Sequence, residues 1–279
     1  MKKLTFILMT ALLVAACSTS TEKSASEETP ETPATAEVNV VGEAVAYTGD
    51  GVTMNGYMAN DVNNTSKKPG ILVVHEWWGH NEYAQERAGM LAELGYVALA
   101  VDMYGDGKVA AHPGEAGEFA GMVMGNFEGA KVRFEAAMET LKSNPNVDPD
   151  KIGAIGYCFG GSVVLSMANA GYDLAAVASF HGGLGLPVMP EPGSVKGKVL
   201  IANGADDSFI PEQQINDYKA AMDAAGADYK FINYEGAVHS FTSKAADELA
   251  EKFEMPIAYN AAADSASWAE MQALFAAAF

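Results

Sequence analysis

The 279-residue chain is 49% hydrophobic and 19% charged, and its 36 acidic against 17 basic residues leave a formal charge of −19. So acidic a chain repels phosphate backbones and anionic lipid, and it carries no basic stripe or aromatic-interleaved basic run, which argues against nucleic acid as a partner. Cysteine occurs only at positions 17 and 158, so if Cys17 is modified a single thiol is left and no internal disulfide can form.

Met1, Lys2 and Lys3 precede an apolar run from Leu4 to Val14, and Ala15 and Ala16 lead into Cys17. This pattern reads as a signal peptide over 1–16, too short to span a bilayer as a stable helix. Small residues before a cysteine resemble the lipobox of bacterial lipoproteins, in which the cysteine is acylated and becomes the new N-terminus. An ordinary signal with an incidental Cys17 is the competing reading. Ser18 rather than aspartate next to it suggests an exported lipoprotein on the outer membrane, facing the periplasm. Without residues 1–16 the formal charge is about −21, so membrane contact is expected through the lipid alone. Residues 17–40 are rich in Ser, Thr, Glu, Pro and Ala, with almost no large apolar side chain before Val38. They read as a flexible tether. Residues 41–279 then suit one α/β domain.

Within that domain, Glu43 to Tyr47 and Thr53 to Met58 flank a turn at Gly49, Asp50 and Gly51, which predicts a hairpin. Gly70 to His75 is a continuous apolar strand, Tyr83 to Leu94 a helix closed by Gly95, and Tyr96 to Val101 another strand. Helical stretches follow over Pro113 to Met124 and Phe127 to Ser143. The strand Lys151 to Ile155 leads through a tight turn into a helix over Ser162 to Ala170. Three further strands (Leu174 to Phe180, Lys198 to Ala202, Tyr229 to Tyr234) are interrupted by a Gly- and Pro-rich loop (182–197) and a helix (Pro211 to Ala225). Tyr259 to Phe279 is alanine-rich and helical, and no internal repeat is present. Strands alternating with helices predict a mostly parallel, doubly wound sheet with helices on both faces.

The turn Gly156-Tyr157-Cys158-Phe159-Gly160-Gly161 has the form of a nucleophile elbow, with cysteine where hydrolases usually carry serine. So sharp a turn leaves no room for side chains two residues before and after the nucleophile. A lone buried cysteine is ordinarily just a small apolar residue; its place in the elbow favours a nucleophile. Functional groups collect past the carboxyl ends of parallel strands, where Glu76, Cys158, Asp207 and His239 all fall. The order nucleophile, acid, histidine is that of α/β hydrolases. Asp206 competes with Asp207, since either could turn toward the histidine or simply cap the following helix. His181 is a candidate to line the same pocket, and Trp77, Trp78 and Tyr104 read either as its apolar or stacking walls or as core filling. For Glu76 the competing reading is a surface salt bridge at a strand end. His75, Glu76 and His80 lack zincin spacing, and neither a P-loop nor a dinucleotide fingerprint is present, so no metal or organic cofactor is expected.

From about Glu43 to Phe279 the chain resembles the dienelactone hydrolase family of α/β hydrolases. Four motifs carry the resemblance: His75-Glu76-Trp77-Trp78-Gly79, the cysteine elbow, Asp207-Ser208-Phe209-Ile210-Pro211, and Tyr234 to Phe241. The resemblance implies Cys158 as nucleophile, His239 as base and acid, and Asp207 as the orienting carboxylate. It also implies that Glu76 keeps the resting thiol neutral and swings away on substrate binding. The elbow aims the N–H of Phe159 at an oxyanion, and by resemblance the N–H of Trp77 is the second donor. The implied reaction is cleavage of a small ester or lactone through a thioester. A departure lies after His239, where the family members that act on dienelactone place an arginine for the substrate carboxylate and this chain reads Ser240, Phe241, Thr242, Ser243. Its only arginines, Arg87 and Arg133, fall in helical stretches where a solvated or paired side chain is the default, and Lys108 or Lys244 would be the substitutes. The sequence therefore leaves carboxylate recognition open, with a neutral ester or lactone as the other candidate substrate. Two other readings are a non-catalytic binding or scaffold lipoprotein keeping the fold, and a peroxide-reactive thiol without a resolving cysteine.

Overall fold

A computed structural model describes residues 37–279. The expected signal peptide, the Cys17 acylation site and the tether up to residue 36 lie outside the described residues. From Glu37 onward the backbone is tied down: the Glu37 carbonyl accepts from Asn63 Nδ2 and the Asn39 N–H donates to the Asp61 carboxylate.

The elements run β1 (Val40–Gly49), β2 (Val52–Asp61), β3 (Lys68–Val74), α1 (Glu82–Glu93), β4 (Val97–Val101), α2 (Pro113–Gly125), α3 (Phe127–Lys142), β5 (Val147–Tyr157), α4 (Phe159–Asn169), β6 (Ala176–Phe180), β7 (Lys198–Gly204), α5 (Glu212–Ala225), β8 (Tyr229–Tyr234), α6 (Ala246–Phe253) and α7 (Ala261–Ala278). One sheet of order β1-β2-β4-β3-β5-β6-β7-β8 contains all the strands. The β1–β2 hairpin joins antiparallel at one edge, and the six strands from β4 to β8 are mutually parallel.

Strand pleating divides the interior in two. Leu72, Val74, Leu99, Ile152, Val177, Val199 and Ile201 point into one core with Phe134, Val163, Tyr218 and Met222 from α3, α4 and α5. Their neighbours Ile71, Val73, Ala98, Ala100, Ile155, Ala178, Leu200 and Ala202 face α1 and α7 through Ala88, Leu91, Met271 and Phe275. Both faces are thus covered, which is why the parallel strands read as unbroken apolar runs rather than alternating ones.

The pattern of the chain and the structure differ in two places. β5 begins at Val147, four residues before the expected Lys151, because its first residues pair with Lys68 and Pro69 across a register shift at Pro69/Gly70; a bulge accommodates the prolines that sequence pattern treats as breakers. α6 is not anticipated at all. It has eight residues, too few turns for a 3.6-residue period to stand out from a loop.

Candidate active site

Glu76 and Trp77 follow β3, Cys158 follows β5, Asp207 follows β7 and His239 follows β8, so the sheet gathers them at the carboxyl ends of its strands. The elbow is held by contact distances. A Cβ on Gly156 would sit 2.1 Å from the Gly160 carbonyl oxygen, and one on Gly160 would sit 2.2 Å from the Val74 carbonyl oxygen. Hydrogen in place of a side chain is the only solution at both positions. Between them Cys158 is forced to φ 52°, ψ −115°, a strained conformation for a residue with a Cβ.

His239 stands between sulfur and carboxylate. Its Nδ1–H donates to Asp207 Oδ2 at 2.8 Å, which leaves Nε2 for the thiol of Cys158 on the same cavity wall. Burial opposes charge on His239, but the charge that Cys158 carries once it has lost its proton, with the hydrogen bond and charge of Asp207, outweighs it and pushes the imidazole up to about 10, so the ring keeps the proton it takes from the thiol. The other oxygen of Asp207 accepts from the Phe209 N–H at 2.9 Å. Asp206 is exposed, so the geometry pairs His239 with Asp207 and not with its neighbour. The N–H groups of Phe159 and Trp77 have no hydrogen-bond acceptor among the described residues, leaving both available to an oxyanion.

Glu76 is buried and accepts from the Ser240 hydroxyl at 3.1 Å. Burial raises its carboxyl above the ordinary range, against smaller opposing effects of His239, the Ser240 bond and Arg87. It is not in a surface salt bridge. His75 carries no ligand role: Nδ1 is engaged by the Glu76 carbonyl and Nε2 accepts from the Met103 N–H at 3.2 Å, and burial holds the ring neutral, down to about 4. Among the described residues no group of three or more His, Cys, Asp or Glu side chains is arranged to hold a metal ion.

A cavity of about 380 Å³ opens onto Cys158 and His239. Trp77, Met124, Phe159, Ile210, Met255 and Ile257 supply its apolar wall, with Phe209, 47% exposed, at its margin. Among the described residues no Lys, Arg, Asp or Glu lines it. Of the candidate walls only Trp77 belongs to it. Trp78 turns away and stacks on Phe253 at 5.9 Å between ring centroids, beside Ala110 and Ala116. Tyr104 is buried behind Phe159 and donates its hydroxyl to the Trp77 carbonyl at 2.9 Å, bracing the loop instead of lining the cavity. His181 is buried with both ring nitrogens bonded inside the protein. Met124, Met255 and Ile257 were not foreseen; the last two follow α6, the element without a sequence signal.

Neither arginine reaches the cavity. Arg87 is buried, paired with Asp264 at 2.7 Å and enclosed by the rings of Tyr83, Tyr157 and Trp268 at 5.2 to 5.4 Å. Arg133 donates to the carbonyls of Met103 and Tyr104 and to Asp50. Lys108 pairs with Asp106, and Lys244 lines a separate groove of about 680 Å³ with Glu82, Glu86 and Asp264. None of the four cations replaces the missing arginine.

A doubly covered parallel sheet with an elbow, a histidine and a carboxylate at its strand ends defines an α/β hydrolase acting on carboxylic esters. The comparisons agree. Residues 54–279 match the dienelactone hydrolase family, and the chain belongs to that family. A solved protein designated m3DLH is 35% identical and superposes with a TM-score of 0.81, covering 86% of this chain and 99% of its own. A dienelactone hydrolase-like promiscuous phosphotriesterase from metagenomic libraries is 33% identical with a TM-score of 0.80 over the same shares. Among sequence relatives, a Synechocystis protein designated a candidate carboxymethylenebutenolidase is 26% identical over 251 residues, 85% of this chain and 97% of its own.

Proposed function

We propose that the enzyme cleaves small, uncharged esters or lactones with Cys158 as nucleophile, His239 as base and acid, and Asp207 as the carboxylate that orients the imidazole. His239 Nε2 takes the thiol proton and the sulfur attacks the carbonyl carbon. The oxygen that becomes negative is met by the N–H groups of Phe159 and Trp77, the former at the positive end of α4. Collapse expels the alcohol, which takes its proton from His239 and, for a lactone, stays attached to the acyl group. A thioester remains. Water then attacks it as His239 accepts a proton, and the acid leaves as the sulfur regains its electron pair. Glu76, which here accepts from Ser240, is by resemblance to the family the carboxyl that would hold the resting thiol protonated and turn away when substrate binds.

One observation supports this reading above the others: His239, bonded to Asp207, shares a cavity wall with Cys158 at its strained turn. The absence, among the described residues, of any Lys or Arg from the cavity wall supports a neutral substrate, since a carboxylate held away from the catalytic pair would lose its water without gaining a partner. Hydrolysis of p-nitrophenyl butyrate and of dienelactone by the protein and by Cys158→Ala tests it. Turnover of the neutral ester at least about tenfold faster than of the anionic lactone, abolished in the variant, is expected. Equal rates for the two proteins would remove the mechanism and favour a binding or scaffold role.

Export as a lipoprotein anchored at Cys17 on the outer membrane, facing the periplasm, belongs to the same proposal. The run of residues before Cys17 supports it. Labelled palmitate entering the protein but not Cys17→Ala would be the expected result, and equal labelling would refute it.

A further inference from the structure

Behind the cavity wall, two side chains connect the turn bearing Cys158 to the loop bearing His239. The Cys158 N–H is shared between the Phe180 carbonyl at 3.0 Å and His181 Nδ1 at 3.1 Å. An N–H can only donate, so Nδ1 accepts and the ring proton sits on Nε2. That proton is donated to Thr242 Oγ1, 2.7 Å away. The Thr242 hydroxyl also shares a hydrogen bond with the Tyr83 hydroxyl on α1, again at 2.7 Å, in which either oxygen can donate. From the Cys158 N–H to Thr242 Oγ1 each donor and acceptor has one direction only. His181 is fully buried, and burial together with the charges of His239 and Arg87 holds it well below the ordinary imidazole range, so Nδ1 stays an acceptor. Its ring also meets the His239 ring at 5.2 Å.

We propose that His181 and Thr242 are positioning residues, through which a hydroxyl three residues after His239 sets the backbone orientation at Cys158. The inference rests on the mechanism proposed above. Cys158 lies at φ 52°, ψ −115°, outside the broad backbone wells, so the aim of its thiol and of the next N–H depends on restraints from neighbours. His181 supplies one such restraint at Cys158. Its own ring is fixed by Thr242. The loop itself keeps a second anchor when the hydroxyl is removed, because the Thr242 carbonyl accepts from Arg87 Nη2 at 2.6 Å. Loss of the hydroxyl should therefore disturb the elbow more than the fold.

The test compares Thr242→Val, which keeps the shape without the hydroxyl, with Thr242→Ser, which keeps the hydroxyl. Turnover of p-nitrophenyl butyrate and alkylation of Cys158 by iodoacetamide are measured beside melting temperature. Thr242→Val is expected to lower kcat about tenfold with KM within about twofold, and to slow alkylation; Thr242→Ser is expected to stay within about twofold of wild type. If valine prevents folding, Thr242→Ala removes the hydroxyl without setting a methyl group against the His181 N–H. His181→Asn keeps an acceptor near the Cys158 N–H and tolerates a positive φ, but it is too short for Thr242. Adding Thr242→Val to it should lower kcat no further, because the two residues act in series. A valine variant with wild-type kcat, a serine variant as impaired as valine, or additive losses in the double variant would each overturn the positioning role. Cys158→Ala separates the two levels: if it retains turnover the mechanism fails, whereas if it is inactive and Thr242→Val is unaffected only this inference fails.

Discussion

Replacing Asp207 by asparagine removes one acceptor and changes almost nothing in shape. Both carboxylate oxygens are used, Oδ1 by the Phe209 N–H at 2.9 Å and Oδ2 by His239 Nδ1–H at 2.8 Å. Asparagine has one oxygen for these two donors. If the oxygen serves Phe209, the amide N–H faces Nδ1 and moves the imidazole proton to Nε2, where the base can no longer accept from Cys158. If it serves His239, the Phe209 N–H is left facing a second donor. The side chain of Asp207 is fully buried, so the group left without a partner costs about 1–3 kcal/mol. In a domain of this size that is a fall in melting temperature of roughly 2–12 °C. Activity should fall further, by about 10²–10⁴ in kcat, as expected when a base is held in the wrong tautomer. Initial rates on p-nitrophenyl butyrate with a thermal scan on the same preparation measure both. Asp206→Asn, at an exposed residue, should change the rate by less than about twofold and the melting temperature by less than about 2 °C. An Asp207→Asn enzyme within threefold of wild type, or an equal loss at Asp206, would refute this account of the site.

Glu76→Gln should make stability less dependent on pH. Because burial raises the folded-state value of Glu76, its contribution is present at acid pH and is lost as pH rises from the ordinary carboxylate value of about 4.3 through that raised value, at up to about 1.4 kcal/mol per pH unit. Denaturant midpoints should therefore favour the glutamine variant increasingly from pH 4 to pH 8, and parallel curves would refute the assignment. Gly160→Ala, whose Cβ would meet the carbonyl oxygens of Val74 and His75 at 2.2 and 2.6 Å, should lower kcat by about 100-fold. Gly89→Ala in α1, where the added carbon meets nothing within 4 Å, should instead stabilise by about 0.4–1 kcal/mol. Arg87→Met takes the charged partner from a half-buried Asp264, which keeps only the Tyr259 hydroxyl, and should destabilise by about 1.5–3 kcal/mol in urea melts; a change below about 0.5 kcal/mol would show that the pair is solvated.

What could be read from the chain was what depends on near neighbours. Apolar runs of strand length alternating with amphipathic stretches announce a parallel sheet covered on both sides, because each strand must satisfy two faces at once. The elbow is legible for a similar reason. Gly156, Gly160 and Gly161 surround Cys158 at the spacing that a strand-to-helix reversal requires, and the collisions that forbid a Cβ at Gly156 arise within six residues of chain.

Tertiary structure decided the rest. Asp206 and Asp207 are chemically identical neighbours, and only the packing of the β7 turn against His239, 32 residues away, turns one inward. Trp78, Tyr104 and His181 look like pocket residues by position, yet the cavity wall comes from α2 and from the segment after α6, leaving those three behind it. Arg87 looks like a solvated helix cation until Asp264, 177 residues on, and three aromatic rings close around it. Side-chain direction at such positions is set by contacts between segments far apart in the chain, and no local pattern of residues encodes which distant segment will arrive.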